Sequence, residues 1–311
     1  MKKFILDLTF FGVIFCIFAV SAEIIITSSL RKSQHYNLLP WNEIYTGNLR
    51  YDALINGSSR ALAHYDPQIL DSILNMNFYN LGMTGSVIER QIFKYNTYCR
   101  LNTKPKLIIQ NIDYSTMGLR HGFEREQFFP YFFDKTFRKE ISCWEPFTFF
   151  EKYFPLYRYN GSGILMAKWL VLNRTSLGPK MAFTKGYYGY DDSWDGTVFR
   201  KQSEINYNQD TTALRIFDQF LANVQKDGIK VIFVYALIYI GATEKMKNIE
   251  GMYQMYDSIA RKYNISILDY NDDPISYDTL YFYNAIHMNI KGAKLFSEKL
   301  ARDIDSLGIL K

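Results

Sequence analysis

Apolar residues fall along this chain in three regimes. The first is a mostly apolar stretch from Phe4 to Ile26, behind Met1-Lys2-Lys3 and interrupted by Asp7 and Glu23. Its uncharged run, Leu8 to Ala22, is short for a span of about 20 residues. With Glu23 snorkelling at the edge and Ile24 to Ile26 added, residues 1–29 read as a signal-anchor or single transmembrane helix. Val20-Ser21-Ala22 also fits a signal-peptidase site, so a secreted protein with its leader removed is the competing reading. Either way the rest of the chain is expected outside the cytoplasm, although Arg31 and Lys32 after the span weaken the positive-inside bias. Residues 30–50 read as a juxtamembrane linker.

The second regime alternates buried strands with amphipathic helices. Ala53 to Ile55 is a buried strand ending at Asn56-Gly57, a pair suited to a sharp turn with positive φ. Asp66-Pro67 opens a helix to about Asn75, with Asp66 as N-cap and Pro67 at the first helical position. Phe78 to Leu81 is a short strand, Gly82 to Gly85 a turn, Val87 to Leu101 a helix, and Leu107 to Asp113 a third strand. The rhythm resumes late in the chain. Leu214, Phe217, Leu221 and Val224 line one helical face, Ile229 to Tyr239 is the most apolar strand, and Glu244 to Tyr263 is helical. Ile265 to Asp269 is a fifth strand, and Ile290 to Leu307 the closing helix. Such alternation predicts an α/β domain over residues 51–311, with a parallel five-stranded sheet and right-handed crossovers.

Between Tyr114 and about Asn206 lies the third regime, where the rhythm gives way to aromatic clusters at 128–133, 147–159 and 187–196. So long an irregular segment reads as an insertion, expected to cover the carboxyl edge of the sheet. It contributes to an aromatic content of 17%, through 25 Tyr and 24 Phe. That suggests either a large aromatic core or surfaces that stack on flat ligands such as sugar rings. Trp194 beside Asp191, Asp192 and Asp195 has the mixture a sugar site uses, and equally reads as a loop packed on the core. The spacing Asp191-x-Ser193-x-Asp195-Gly196 starts like a calcium loop, but its twelfth position is Gln202, so calcium is set aside.

A net charge of +5 without a lysine-arginine block gives no nucleic-acid signal. Cys16, Cys99 and Cys143 form no Cys-x-x-Cys, and only Cys99 to Cys143 is left as an intrachain pair outside the apolar run. His35, His64, His121 and His287 show no zinc spacing. Neither a metal nor another cofactor is expected.

Tyr51 to Ala61 holds the candidate chemistry. A serine on a strand-to-helix turn of an α/β sheet stands at the sheet's upper edge, where a ligand can reach it. Gly57-Ser58-Ser59 is such a turn, though alone it also reads as a helix cap. Near the other end, His287 lies on a loop just before the last helix, at the same sheet edge. A histidine there is the usual base for a serine nucleophile, and alone also reads as a cap or surface residue.

Together these blocks resemble the SGNH (GDSL-like) hydrolase family, which implies a flavodoxin-like, three-layer α/β/α fold. Gly57-Ser58-Ser59 matches Gly-Asp-Ser. Asn80 to Gly85 matches Asn-x-x-x-x-Gly before a helix, and Asn111 loosely matches the asparagine ending the third strand. Asn284 to His287, with Asn289 to Gly292, matches Asp-x-x-His followed by Asn-x-x-Gly. The resemblance implies acyl chemistry: Ser59 as nucleophile, His287 as base, and an oxyanion held by the N–H groups of Ser59 and Gly85 and the amide of Asn111.

There are two departures from the pattern. Asn284 stands where the family has aspartate, with Asp269, Asp272 or Asp278 as substitutes for the missing charge. The third block lacks its glycine, which makes Asp113 a rival site residue. An exported, anchored domain of this kind resembles the branch that modifies cell-envelope polysaccharides, often beside a membrane-bound O-acyltransferase. The expected function is an O-acyl esterase or O-acetyltransferase acting on an envelope glycan. The alternative is a catalytically silent, glycan-binding or assembly partner of such an acyltransferase.

Overall fold

The computed structural model describes residues 1–117, 125–163, 182–194, 205–206, 210–243 and 246–309. It forms two compact units, residues 1–42 with 124–178 and residues 43–123 with 179–311.

The first unit is built on helix α1 (Lys2–Leu30). Its best window has a mean hydropathy of 2.4, long and apolar enough to cross a bilayer. From Phe4 to Val20 its large apolar side chains are exposed. The last turns are held instead. Glu23, expected to snorkel, pairs with Arg158 and accepts the Leu156 N–H at 2.7 Å. The hydroxyls of Thr27 and Tyr159 lie 2.8 Å apart, and Leu30 is buried. Inside the stretch read as a linker, Leu38 and Trp41 are also buried. The Trp41 ring packs on Phe128, Tyr131 and Phe137, and its Nε1 donates to Gln127 at 3.0 Å. The aromatic residues of 125–137 thus give this unit a core of its own.

The second unit is a parallel sheet of five strands, in the order β2-β1-β3-β4-β5. In chain order it runs β1 (Ala53–Asn56), α2 (Ser59–His64), α3 (Pro67–Leu74), β2 (Phe78–Asn80), α4 (Ile88–Leu101) and β3 (Leu107–Asn111). It continues with α5 (Thr211–Lys226), β4 (Lys230–Tyr235), α6 (Ile249–Tyr263), β5 (Ser266–Asp269) and α7 (Ile290–Ser306). β1 sits between β2 and β3, with Ala53 beside both Phe78 and Leu107.

Side chains alternate across the strands, so each face has its own filling. Ala53, Ile55, Ile109, Ile232 and Val234 join Leu70, Phe296, Leu300 and Ile304 in one cluster under α3 and α7. On the other face Phe233 packs on Phe217 and Tyr256, from α5 and α6. As the sequence predicts, Asp66 caps α3 through Gln68 N–H, with Pro67 in the first turn. β4 ends at Tyr235, short of the predicted Tyr239. Beyond it Ala236 to Ile238 stay buried, and Tyr239 N–H goes to Ala285 outside the sheet. α6 starts at Ile249, later than predicted, because Asn248 takes a left-handed conformation with φ 60°.

Candidate active site

The order 2-1-3-4-5 reverses direction between β1 and β3, and ligands of open α/β sheets bind at the carboxyl ends of the strands flanking such a point. Ser59 follows β1 and Asn111 ends β3, so both stand there. Gly57 makes their approach possible: a Cβ on it would lie 2.7 Å from the Cβ atoms of both Ala61 and Asn111. The chain then turns into α2, and Ser59 is its first residue, half-buried.

His287 comes from a short antiparallel pair, Phe282–Asn284 with His287–Met288, directly before α7. Its Nε2 lies 2.8 Å from Ser59 Oγ, and its Nδ1 lies 3.1 Å from Asn284 Oδ1. The same Asn284 oxygen accepts the backbone N–H groups of Ile286 and His287, each at 3.0 Å. Two backbone donors can face only the carbonyl end of an amide, so the oxygen is turned toward the ring. Nδ1 therefore carries the proton, and Nε2 offers its lone pair to the serine hydroxyl. Burial, with the nearby Arg60 charge, pushes the His287 pKa down to about 3, against an opposing pull from Asp113. The ring of Tyr283 stacks on the imidazole at 5.4 Å and 8°. Tyr190 packs in turn on Tyr283 at 4.2 Å. None of the carboxylates considered as substitutes takes the place at Nδ1. Asp269 accepts from Asn271, Asp272 from Tyr277 and Asp278 from Leu280.

The turn after β2 is stitched to the serine turn by Leu81 N–H to Ile55 (2.7 Å) and Met83 N–H to Gly57 (3.2 Å). This brings Gly85, at φ 64° and half-buried, alongside. Asn80 braces the same turn, donating to Ala61 and Tyr65 carbonyls and accepting from Gly82 N–H. Asn111 is fully buried and held at both ends: its oxygen accepts the Tyr65 hydroxyl at 2.7 Å and its Nδ2 donates to Asp113 at 3.0 Å. A primary amide has two N–H bonds, so the Asp113 contact takes up one and fixes the direction of the other.

Asp113 is the hub of this end of the sheet. It accepts from Ser58 Oγ at 2.9 Å, from Ser115 and from Thr116 N–H, and it pairs with Arg60 at 3.4 Å. Burial raises its pKa, but Arg60 and the Ser115 and Ser58 donors outweigh that and hold it below the usual carboxylate range. The Arg60 guanidinium also lies 4.9 Å from the centre of the Tyr114 ring. Sequence spacing carries no signal for the parts played by Arg60, Tyr65 and Tyr283. Each contact joins elements far apart in the chain or depends on side-chain direction. His64 is a further case: buried, perpendicular to His287 at 6.2 Å, with its Nε2 accepting Met288 N–H. Burial, and then the His287 and Arg60 charges, keep it well below the usual histidine range.

Trp194 packs against the cluster that holds Ala285, where Ile286 and Tyr114 also pack, and with Asp191 it lines a cavity of about 380 Å³ that Asp192, Asp278 and Lys291 also line. The indole packs 4.9 Å from Tyr239 and joins the core, leaving it part-exposed. Asp195 and the discounted Gln202 lie outside the described residues.

No protein-family model and no curated protein sequence matches the chain. Among solved structures it is similar to a GDSL-like lipase from Bacteroides thetaiotaomicron, at 10% identity and a TM-score of 0.41, covering 88% of this chain and 98% of that one. It is also similar to an acetyl xylan esterase, at 12% identity and a TM-score of 0.41, covering 83% of this chain and 99% of that one. The strand order 2-1-3-4-5, with helices on both faces of the parallel sheet, gives the second unit a flavodoxin-like α/β/α fold.

Proposed function

We propose that the chain is a membrane-anchored SGNH-type O-acyl esterase or O-acetyltransferase, with its α/β unit outside the cytoplasm and an envelope glycan as substrate. The observation that carries the reading is the line Ser59 Oγ, His287 Nε2, His287 Nδ1, Asn284 Oδ1, at 2.8 and 3.1 Å. Ser59 attacks the ester carbonyl while its proton passes to Nε2. The imidazolium then returns that proton to the leaving alcohol, and water or a sugar hydroxyl releases the acyl group by the reverse route. The developing oxyanion meets the N–H groups of Ser59 and Gly85 and the remaining N–H of Asn111, donors worth about 2.7–4 kcal/mol each in such sites. In serine proteases an asparagine in the third position costs about 10⁴ because the histidine adopts the wrong tautomer. The backbone donors on Asn284 remove that cause here. What remains missing is the negative charge: Asp113 pulls the ring toward the imidazolium, but the Arg60 charge opposes it more strongly. The cavity beside Trp194 and Asp191 suits a sugar ring, which supports the glycan as substrate.

A second reading, a catalytically silent glycan-binding partner of a membrane-bound O-acyltransferase, is favoured by the uncharged Asn284 and by the Asn111 N–H taken up by Asp113. Hydrolysis of an aryl acetate by the purified full-length chain separates the two. Catalysis predicts that Ser59→Ala and His287→Ala each lose about 10³-fold or more, and that the double variant loses no further. Equal rates in wild type and variants support the silent partner. Labelling of Ser59 by a fluorophosphonate reports the nucleophile independently of turnover.

A further inference from the structure

Five aromatic side chains of the first unit, Phe149, Phe150, Tyr153, Phe154 and Tyr157, stand between 45 and 63% exposed. They form one patch, with Phe149 packed on Tyr153 at 5.0 Å and Phe150 on Phe154 and Tyr157 at 4.8 and 5.4 Å. Monomeric soluble proteins rarely leave such a surface bare. The patch is also firmly built. Thr148 and Glu151 close a capping box over its helical turn (Phe149–Tyr153), and Glu151 pairs with Arg125. Arg138 lies 4.8 Å above the Tyr153 ring.

Its position relative to α1 identifies what covers it. Leu156 lies between Phe154 and Tyr157, and its N–H is bonded to Glu23. Glu23 is also the first charged residue after the uncharged run of α1 from Leu8 to Ala22. From Phe4 to Ala22, with Asp7 in the first turn near the opposite face of the bilayer, the helix rises about 28 Å, close to the ~30 Å of a hydrocarbon core. The patch therefore adjoins α1 at the level where the helix leaves the hydrocarbon, next to the exposed Ile24 and Ile25. Aromatic rings are enriched at that depth, and cations beside them meet lipid phosphates. Arg31, set 4.4 Å over the Phe133 ring, Arg138 and Lys152 provide those cations.

We infer that residues 149–157 form a membrane-interface shelf: their rings enter the headgroup region of the bilayer that α1 spans, so that the first unit lies on the lipid surface. This rests on the reading of α1 as a retained anchor.

The test is site-directed spin labelling of the full chain in vesicles of phosphatidylethanolamine and phosphatidylglycerol. Phe150→Cys and Phe154→Cys are made with the three native cysteines replaced, and native Cys16 is labelled alone as the control within α1. The inference expects collision with oxygen to exceed collision with a water-soluble nickel chelate several-fold at 150 and 154, at a depth shallower than Cys16. A deep Cys16 with chelate-accessible labels at 150 and 154 overturns the shelf and leaves the anchor standing. Labels at 150 and 154 shielded from both reagents overturn it in favour of a second copy. A chelate-accessible Cys16 refutes the anchor reading itself, and the shelf with it.

Discussion

Asn284 shows that an amide can replace a carboxylate in direction and still not in charge. Its oxygen is aimed by Ile286 and His287 N–H, so the histidine tautomer is already the one the proposed mechanism needs. Asn284→Asp therefore adds only the charge. It is expected to raise kcat/KM by about tenfold or more, well short of the ~10⁴ associated with correcting a tautomer. Steady-state kinetics on an aryl acetate measures this. The low pKa of His287 gives a second prediction at this scale. The proposed general base must be unprotonated, and burial with the Arg60 charge holds the His287 pKa down to about 3. The acid limb of kcat/KM is then expected far below the ordinary histidine value of about 6.5. Asn284→Asp should move that limb upward, since a carboxylate favours the imidazolium. A pH–rate profile of both proteins checks each point. Ser59 and His287 were legible in the sequence because strand-to-helix turns and loops before helices place side chains at a known sheet edge. The double hold on Asn111 by Tyr65 and Asp113 was not, since nothing in the order of residues says which way a buried amide faces.

Turns, more than strands, set the geometry of the site at the scale of elements. The segment after β2 crosses the start of α2 so closely that a Cβ on Gly82 would lie 2.2 Å from the backbone nitrogen of Leu62. Backbone cannot give way as a side-chain tip does. Gly82→Ala is expected to cost about 1–3 kcal/mol, the range for overpacking, and to lower activity by displacing Gly85. Thermal unfolding and the ester assay together measure the two effects. The five sheet strands were readable because each is a short apolar run bounded by turn residues. Ile229 to Tyr239 misled in length because apolar residues continue past the last ladder bond into a loop that is also buried. The aromatic stretch after Tyr114 has no period to read. Part of it, 125–163, belongs with the N-terminal helix, and 182–194 belongs with the sheet.

Across the whole molecule, the two histidines near the site link folding to pH. His64 and His287 are both held neutral by burial in the fold, whereas in the unfolded chain they take up a proton near pH 6.5. Below that value the unfolded state binds more protons, so stability falls as pH falls. The slope is at most about 1.4 kcal/mol per pH unit for each imidazole. Denaturant unfolding at pH 7.5 and pH 5 is expected to show the loss, and His64→Gln should shrink it. Asp113 acts in the same direction only lower down, because its depressed pKa contributes stability that disappears as pH drops through the carboxylate range. The fold therefore tolerates acid less well than the His287 base does. One last consequence comes from the Tyr283 ring lying flat on His287. A plate on one side of the imidazole closes that side to a ligand. Under the proposed mechanism an ester then meets Ser59 with one prochiral side of its carbonyl favoured, and mirror-image esters are expected to be consumed at unequal speeds.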